Sequence, residues 1–232
     1  MELNLINNHI VMTVETDLGN KACVFDTGSP FTFFFDDVTE FFLDGQVFNV
    51  GQNPMTFMIR QFRHQIEEMI GTPIDGFIGV ESIQNDGVII DFINRQINFQ
   101  ADISPANNVI AMDNIHGLPI FDISINSTKL RAAFDSGAMY SFVSSTLTER
   151  LNLTSLNETM MDFNPMFGAF SVSLYSGEIM IGENNLGLQK IANGTAYDKS
   201  LQMLGIDAFI GIDTLKTSIV GISYNDKSFS VD

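Results

Sequence analysis

The chain has 232 residues, which suits one two-part unit or two small domains, and 45% of them are hydrophobic, enough for a real core. Only 17% are charged, 11 basic against 28 acidic, and the net charge of −17 argues against nucleic acid and against anionic membrane surfaces as partners. One cysteine, Cys23, leaves no disulfide framework, and no apolar run approaches membrane-spanning length. The opening Met1-Glu2-Leu3-Asn4 is polar and acidic, with no signal segment, so a reducing, cytoplasmic setting is expected.

In chain order, His9 to Glu15 alternates as a strand, Thr16 to Asn20 is a turn, and Lys21 to Asp26 returns as a second strand ending in an acid. Phe31 to Phe35 reads as a buried or half-buried strand after that acid. Gln46 to Val50 and Met55 to Ile59, joined through Gly51-Gln52-Asn53-Pro54, predict a second hairpin, and Gln61 to Met69 a short helix with His64 at the surface. Ile89 to Phe92 and Ile97 to Phe99 predict a hairpin that closes the first half. From Gln100 to Gly117 the pattern lapses, and Ser104-Pro105-Ala106-Asn107-Asn108 reads as a linker. The second half repeats the scheme. A strand over Ile120 to Ile125 turns at Asn126-Ser127-Thr128 and enters a strand that ends at Asp135. Ser141 to Val143 follows, then a short helix over Ser145 to Leu151 capped by Ser144 or Ser145. Gly221 to Tyr224 and Ser228 to Val231 predict the closing hairpin. Four Asn-x-Ser/Thr sequences (Asn126, Asn152, Asn157, Asn193) read as incidental in an Asn-rich chain.

Two stretches stand out because they recur. Cys23-Val24-Phe25-Asp26-Thr27-Gly28-Ser29 is repeated 109 residues later as Ala132-Ala133-Phe134-Asp135-Ser136-Gly137-Ala138. Each is an apolar strand ending in a carboxylate, a hydroxyl and a glycine that lets the backbone turn tightly. One such triplet is weak evidence, arising by chance in on the order of one chain in ten of this length. A second repeat accompanies it. Ile74-Asp75-Gly76-Phe77-Ile78-Gly79-Val80-Glu81-Ser82-Ile83 is matched by Ile206-Asp207-Ala208-Phe209-Ile210-Gly211-Ile212-Asp213-Thr214-Leu215, with five positions identical and four exchanged like for like. The order is the same in both halves, which points to a duplicated unit.

On these motifs the chain, from about Ile10 to its end, resembles the aspartic proteases of the pepsin and retropepsin kind. The resemblance implies an all-β, bilobal fold with the active site between two related lobes: residues 1–102, an interlobe linker over 103–117, and 118–232. It implies Asp26 and Asp135 as a catalytic dyad, because two carboxyls at contact distance cannot both ionise, so one acts as base while the other is an acid. Thr27, Gly28, Ser29, Ser136, Gly137 and Ala138 would support the pair, the two hydroxyls and the glycine N–H groups holding the carboxylates coplanar. If Ser29 donates a hydrogen bond to Asp26, then Asp26 is expected to carry the charge and Asp135, followed by Ala138, the proton.

Between the acid and the apolar-apolar-Gly strand, the second half has 23 more residues than the first. Aligning Val50-Gly51-Gln52-Asn53 with Ile181-Gly182-Glu183-Asn184 places the excess between about Asn152 and Gly177, where strand, Gly/Pro turn and strand predict a hairpin. By resemblance this is a substrate-covering flap, with Pro165, Met166, Phe167, Gly168, Ala169 and Phe170 against the substrate, and the first lobe carries none. The expected activity is hydrolysis of peptide or unfolded protein by a monomer. No cofactor is expected. No metal is expected either, since His9, His64 and His116 are scattered and no paired Cys or His-Glu-x-x-His occurs. The alternative is a peptide-binding or interaction module on the same fold with little or no turnover.

Overall fold

A computed structural model describes residues 1–51, 54–84, 87–103, 106–164 and 168–232. In the first half the strands are β1 (Asn4–Ile6), β2 (His9–Thr16), β3 (Lys21–Phe25), β4 (Phe33–Phe34), β5 (Glu40–Leu43) and β6 (Gln46–Asn49). Helices α1 (Pro54–Arg60) and α2 (Arg63–Ile70) follow, then β7 (Gly76–Ile78), β8 (Gly87–Asp91) and β9 (Gln96–Phe99). The second half holds β10 (Val109–Ala111), β11 (Asp113–Ile115), β12 (Leu118–Ile125), β13 (Thr128–Phe134) and β14 (Ser141–Val143). It continues with β15 (Thr154–Asn164), β16 (Gly168–Ile181), β17 (Asn184–Asn193), α3 (Asp198–Leu204), β18 (Ala208–Ile210), α4 (Ile212–Leu215), β19 (Ile219–Ser223) and β20 (Ser228–Val231). The protein is mostly β, and among the described residues the strands form three sheets: β4-β7-β3-β2-β5-β6 with β1 on β2, β11-β12-β13-β18-β14-β17-β16-β15, and β10-β20-β19-β8-β9.

The sequence repeat is a repeat of register. Cys23, Val24 and Phe25 lie parallel to Gly76, Phe77 and Ile78, as Ala132, Ala133 and Phe134 lie parallel to Ala208, Phe209 and Ile210. Phe33 and Phe34 pair with Phe77 and Gly76, as Phe142 and Val143 pair with Phe209 and Ala208. The acid that recurs in the second motif has a structural task. Asp75 accepts the Ala22 N–H at 2.9 Å and Asp207 the Arg131 N–H at 3.0 Å, fixing the start of the parallel pairing in each half. The glycine of the motif sits against backbone: a Cβ on Gly79 would lie 2.5 Å from the Phe31 carbonyl carbon, and one on Gly211 2.4 Å from that of Tyr140.

Several expectations change. Met55 to Ile59 is not a strand. β6 is already paired with β5 across Asp44-Gly45, both at positive φ, as a two-residue hairpin wants. The following segment instead folds as α1, and Ile59, Ile66 and Ile70 bury one stripe along α1 and α2. The helix expected over Ser145 to Leu151 is a single 3-10 turn, Ser145–Leu147. The Ser144 side chain does not cap it; the Asp198 carboxylate accepts the Ser145 N–H at 2.7 Å. The supposedly patternless stretch to Gly117 contains β10, paired with β20, and β11, paired with β12; Ser104 and Pro105 of the expected linker lie outside the described residues, as do Gln52 and Asn53. The closing hairpins of the two halves form, and they join: β8 runs antiparallel to β19, from Gly87↔Ser223 to Asp91↔Ile219. The alignment of the halves also shifts. Thr16 pairs with Phe41, and its counterpart Ile125 with Ile179, so the offset of 109 at the acid loops has grown to 138 here. The insertion in the second half is therefore 29 residues, and the first half regains six of them in its helical segment.

Candidate active site

Asp26 and Asp135 stand at the ends of β3 and β13, each a strand held on both sides by neighbours of its own sheet. The Asp26 N–H donates to Ile78 O at 2.9 Å and the Asp135 N–H to Ile210 O at 3.0 Å, so each acid is fixed by the apolar-apolar-Gly strand of its own half. Gly28 N–H donates to Asp26 Oδ1 at 2.8 Å and Gly137 N–H to Asp135 Oδ1 at 2.9 Å.

The two loops are locked to each other by a reciprocal set of four bonds. Thr27 N–H donates to Ser136 Oγ and Ser136 N–H to Thr27 Oγ1, both at 2.9 Å. Thr27 Oγ1 donates to Phe134 O at 2.9 Å and Ser136 Oγ to Phe25 O at 2.8 Å. Both hydroxyl residues are fully buried. The expectation that these hydroxyls hold the carboxylates is thus corrected: they clamp the opposite loop's backbone, and the glycine N–H groups meet the carboxylates. Glycine is required there for a second reason. A Cβ on Gly28 would come within 2.4 Å of the Asp135 carboxylate, and one on Gly137 within 2.5 Å of that of Asp26.

Burial raises the pKa of both carboxyls, that of Asp26 further because the Asp135 charge lies beside it. The pair therefore holds one proton into a range where isolated aspartates have lost theirs, and its titration belongs to the pair. The expected order, a charged Asp26 supported by Ser29, loses its basis: the Ser29 hydroxyl donates to Phe31 O at 2.7 Å, not to Asp26. Ala138 makes the same backbone bond in the second loop as Ser29 does in the first, N–H to the aspartate carbonyl, at 3.1 and 3.2 Å.

The acids open into a cavity of about 270 Å³. Ile59 of α1 and Ile66 and Met69 of α2 form one wall, while Asp162, Phe163 and Asn164 at the end of β15 form another. A hairpin does occupy the predicted place, with β15 and β16 antiparallel from Thr154↔Ser176 to Asn164↔Gly168. Pro165, Met166 and Phe167 lie outside the described residues. Gly168 starts β16 at positive φ, Ala169 is exposed, and Phe170 packs edge-on against Tyr197 at 5.4 Å. The hairpin reaches the first half through Phe163, whose ring meets Phe62 at 5.4 Å. Tyr197, which bonds Asn164, borders both this cavity and a second of about 410 Å³ that Asp135, His116 and Met203 also line.

Sequence reasoning missed Asp162, Asn164, Tyr197 and the helical wall. An acid among apolar residues, in Met160-Met161-Asp162-Phe163, was the available signal for Asp162.

No family model and no curated protein matches the chain. Among solved structures it is similar to the simian foamy virus (mac) protease in solution, with 18% identity and a TM-score of 0.29 over 40% of this chain and 86% of that one. What the two aspartates can do follows from their own surroundings.

Proposed function

We propose that the protein is an aspartic endopeptidase that hydrolyses peptide bonds with the Asp26–Asp135 pair, on a bilobal acid-protease fold whose lobes are residues 1–102 and 118–232. The observation that carries this reading is the reciprocal contact of the two loops. Each glycine backs on to the other loop's carboxyl, and the two acids line one cleft. Such a pair, holding one proton, has a base and an acid in one place.

Water between the carboxyls gives a proton to the ionised one as its oxygen bonds to the scissile carbonyl carbon. The protonated carboxyl gives its proton to the carbonyl oxygen. The resulting tetrahedral diol collapses as the amide nitrogen takes the proton of the pair, one diol hydroxyl returns its proton to the ionised carboxyls, and the C–N bond breaks, so that the pair again holds one proton. No covalent enzyme intermediate is formed. The β15–β16 hairpin serves as the cover over the substrate and α1–α2 as the facing wall. Both acids come from one chain, so a monomer has the complete site.

Hydrolysis of an unfolded protein across about pH 3 to 8, wild type beside Asp26→Asn, tests this. A bell-shaped rate in the wild type that falls by about a thousandfold or more in the variant is expected. Equal rates in both proteins would overturn it.

A further inference from the structure

The cavity beside the dyad contains a third carboxyl that the hydrolytic cycle does not use. Asp162 is 9% exposed, lines the cavity, and stands on β15 two residues from the end of the described strand. Its Oδ1 accepts the N–H of the next residue, Phe163, at 2.8 Å. Among the described residues no cation pairs with it, and no Lys, Arg or His lines this cavity. The titratable groups that line the cavity with it are Asp26, Asp135 and Tyr197. A carboxyl withdrawn from water in this way is costly to ionise unless a positive charge joins it.

The rest of the cavity is apolar where a long side chain would lie: Ile59, Ile66, Met69 and Phe163 surround it. Apolar walls with one acid are complementary to a methylene stem that ends in a cation. We propose that Asp162 is a specificity residue, whose carboxylate pairs with a lysine or arginine side chain of the substrate held in this cavity. The proposal rests on the endopeptidase reading and names its substrate class: unfolded segments with a basic residue next to the scissile bond. The chain's net charge of −17 favours the approach of such segments. Burial raises the Asp162 pKa to about 6, so the pairing is strongest above that pH or where the substrate's charge pulls the proton off.

The test is cleavage of a proteome-derived peptide library at about pH 6.5 by wild type and Asp162→Asn, scored position by position around the cut. Wild type is expected to enrich Lys and Arg at one flanking position, and the ratio of kcat/KM for a lysine peptide over its norleucine analogue is expected to drop about tenfold or more in the variant. The same profile in both proteins, or no basic enrichment in wild type, overturns the proposal. Should wild type cut nothing, the endopeptidase reading fails and binding decides this one: Asp26→Asn is expected to hold the lysine peptide tighter than the norleucine analogue, with the difference lost in Asp26→Asn/Asp162→Asn. Equal affinities overturn it.

Discussion

At the scale of single residues, the site is a balance of close contacts. Thr27 is both acceptor for Ser136 N–H and donor to Phe134 O, in surroundings without solvent. Thr27→Val leaves both partners unpaired and is expected to lower unfolding free energy by about 2–4 kcal/mol in urea titration, while Thr27→Ser recovers most of it. Gly28→Ala puts a methyl into the Asp135 carboxylate, so turnover is expected to fall about a hundredfold through misplacement of that acid. Ser29→Ala is expected to leave the acidic limb of the pH–rate profile where it was, because the Ser29 hydroxyl serves Phe31 O. The two acids were legible in the sequence because a rigid strand, an acid, a hydroxyl and a glycine recur with a fixed offset. The bonds of the hydroxyls were not. Their acceptors are backbone atoms more than a hundred residues away, and a triplet read alone does not say which loop it will face.

At the scale of elements, the β15–β16 hairpin and the α1–α2 pair form the two walls over the acids, joined through the Phe163–Phe62 contact. Phe163→Ala is expected to raise KM by about tenfold and to speed amide exchange along β15 and β16, with β13 and β18 unchanged; an unaltered KM would detach the hairpin from substrate binding. The hairpin was legible from its Gly/Pro turn between apolar strands. The α1 helix was not, since five apolar-rich residues fit either period and only the prior pairing of β5 with β6 decides. Asp162 was passed over because an acid in an alternating strand reads as solvent-facing, whereas here the face it occupies is closed by the other half of the chain. Strands β10 and β11 are three residues each and partly exposed, too short to carry a pattern.

At the scale of the whole molecule, the two halves share one sheet, with β8 on β19, and one site, with Asp26 on Asp135. Pairing between halves has no local signature, so the shared sheet was invisible in the sequence even though each hairpin in it was not. The shared site also sets the response to pH. Asp26, Asp135, Glu81 and Asp162 all have raised pKa values, chiefly from burial, so the folded chain binds protons more tightly than the unfolded one. Stability from these groups is present below about pH 4 and is lost as pH rises toward their folded values; Asp162 alone, raised to about 6, accounts for about 3 kcal/mol of that loss. Buried His9 acts oppositely, since burial lowers its pKa and acidification below about 6.5 favours unfolding. Four carboxyls outweigh one imidazole, so Tm is expected to be higher near pH 5 than at pH 7.5, and Asp162→Asn to flatten the slope; a Tm that climbs steadily to pH 7.5 would contradict this. The most direct measurement on the central claim, that one site is built from both halves, compares turnover in Asp26→Asn, Asp135→Asn and the double variant. Acids that act as one unit predict that each single change costs as much as both together. Single variants that keep substantial activity, or losses that multiply in the double, would contradict it.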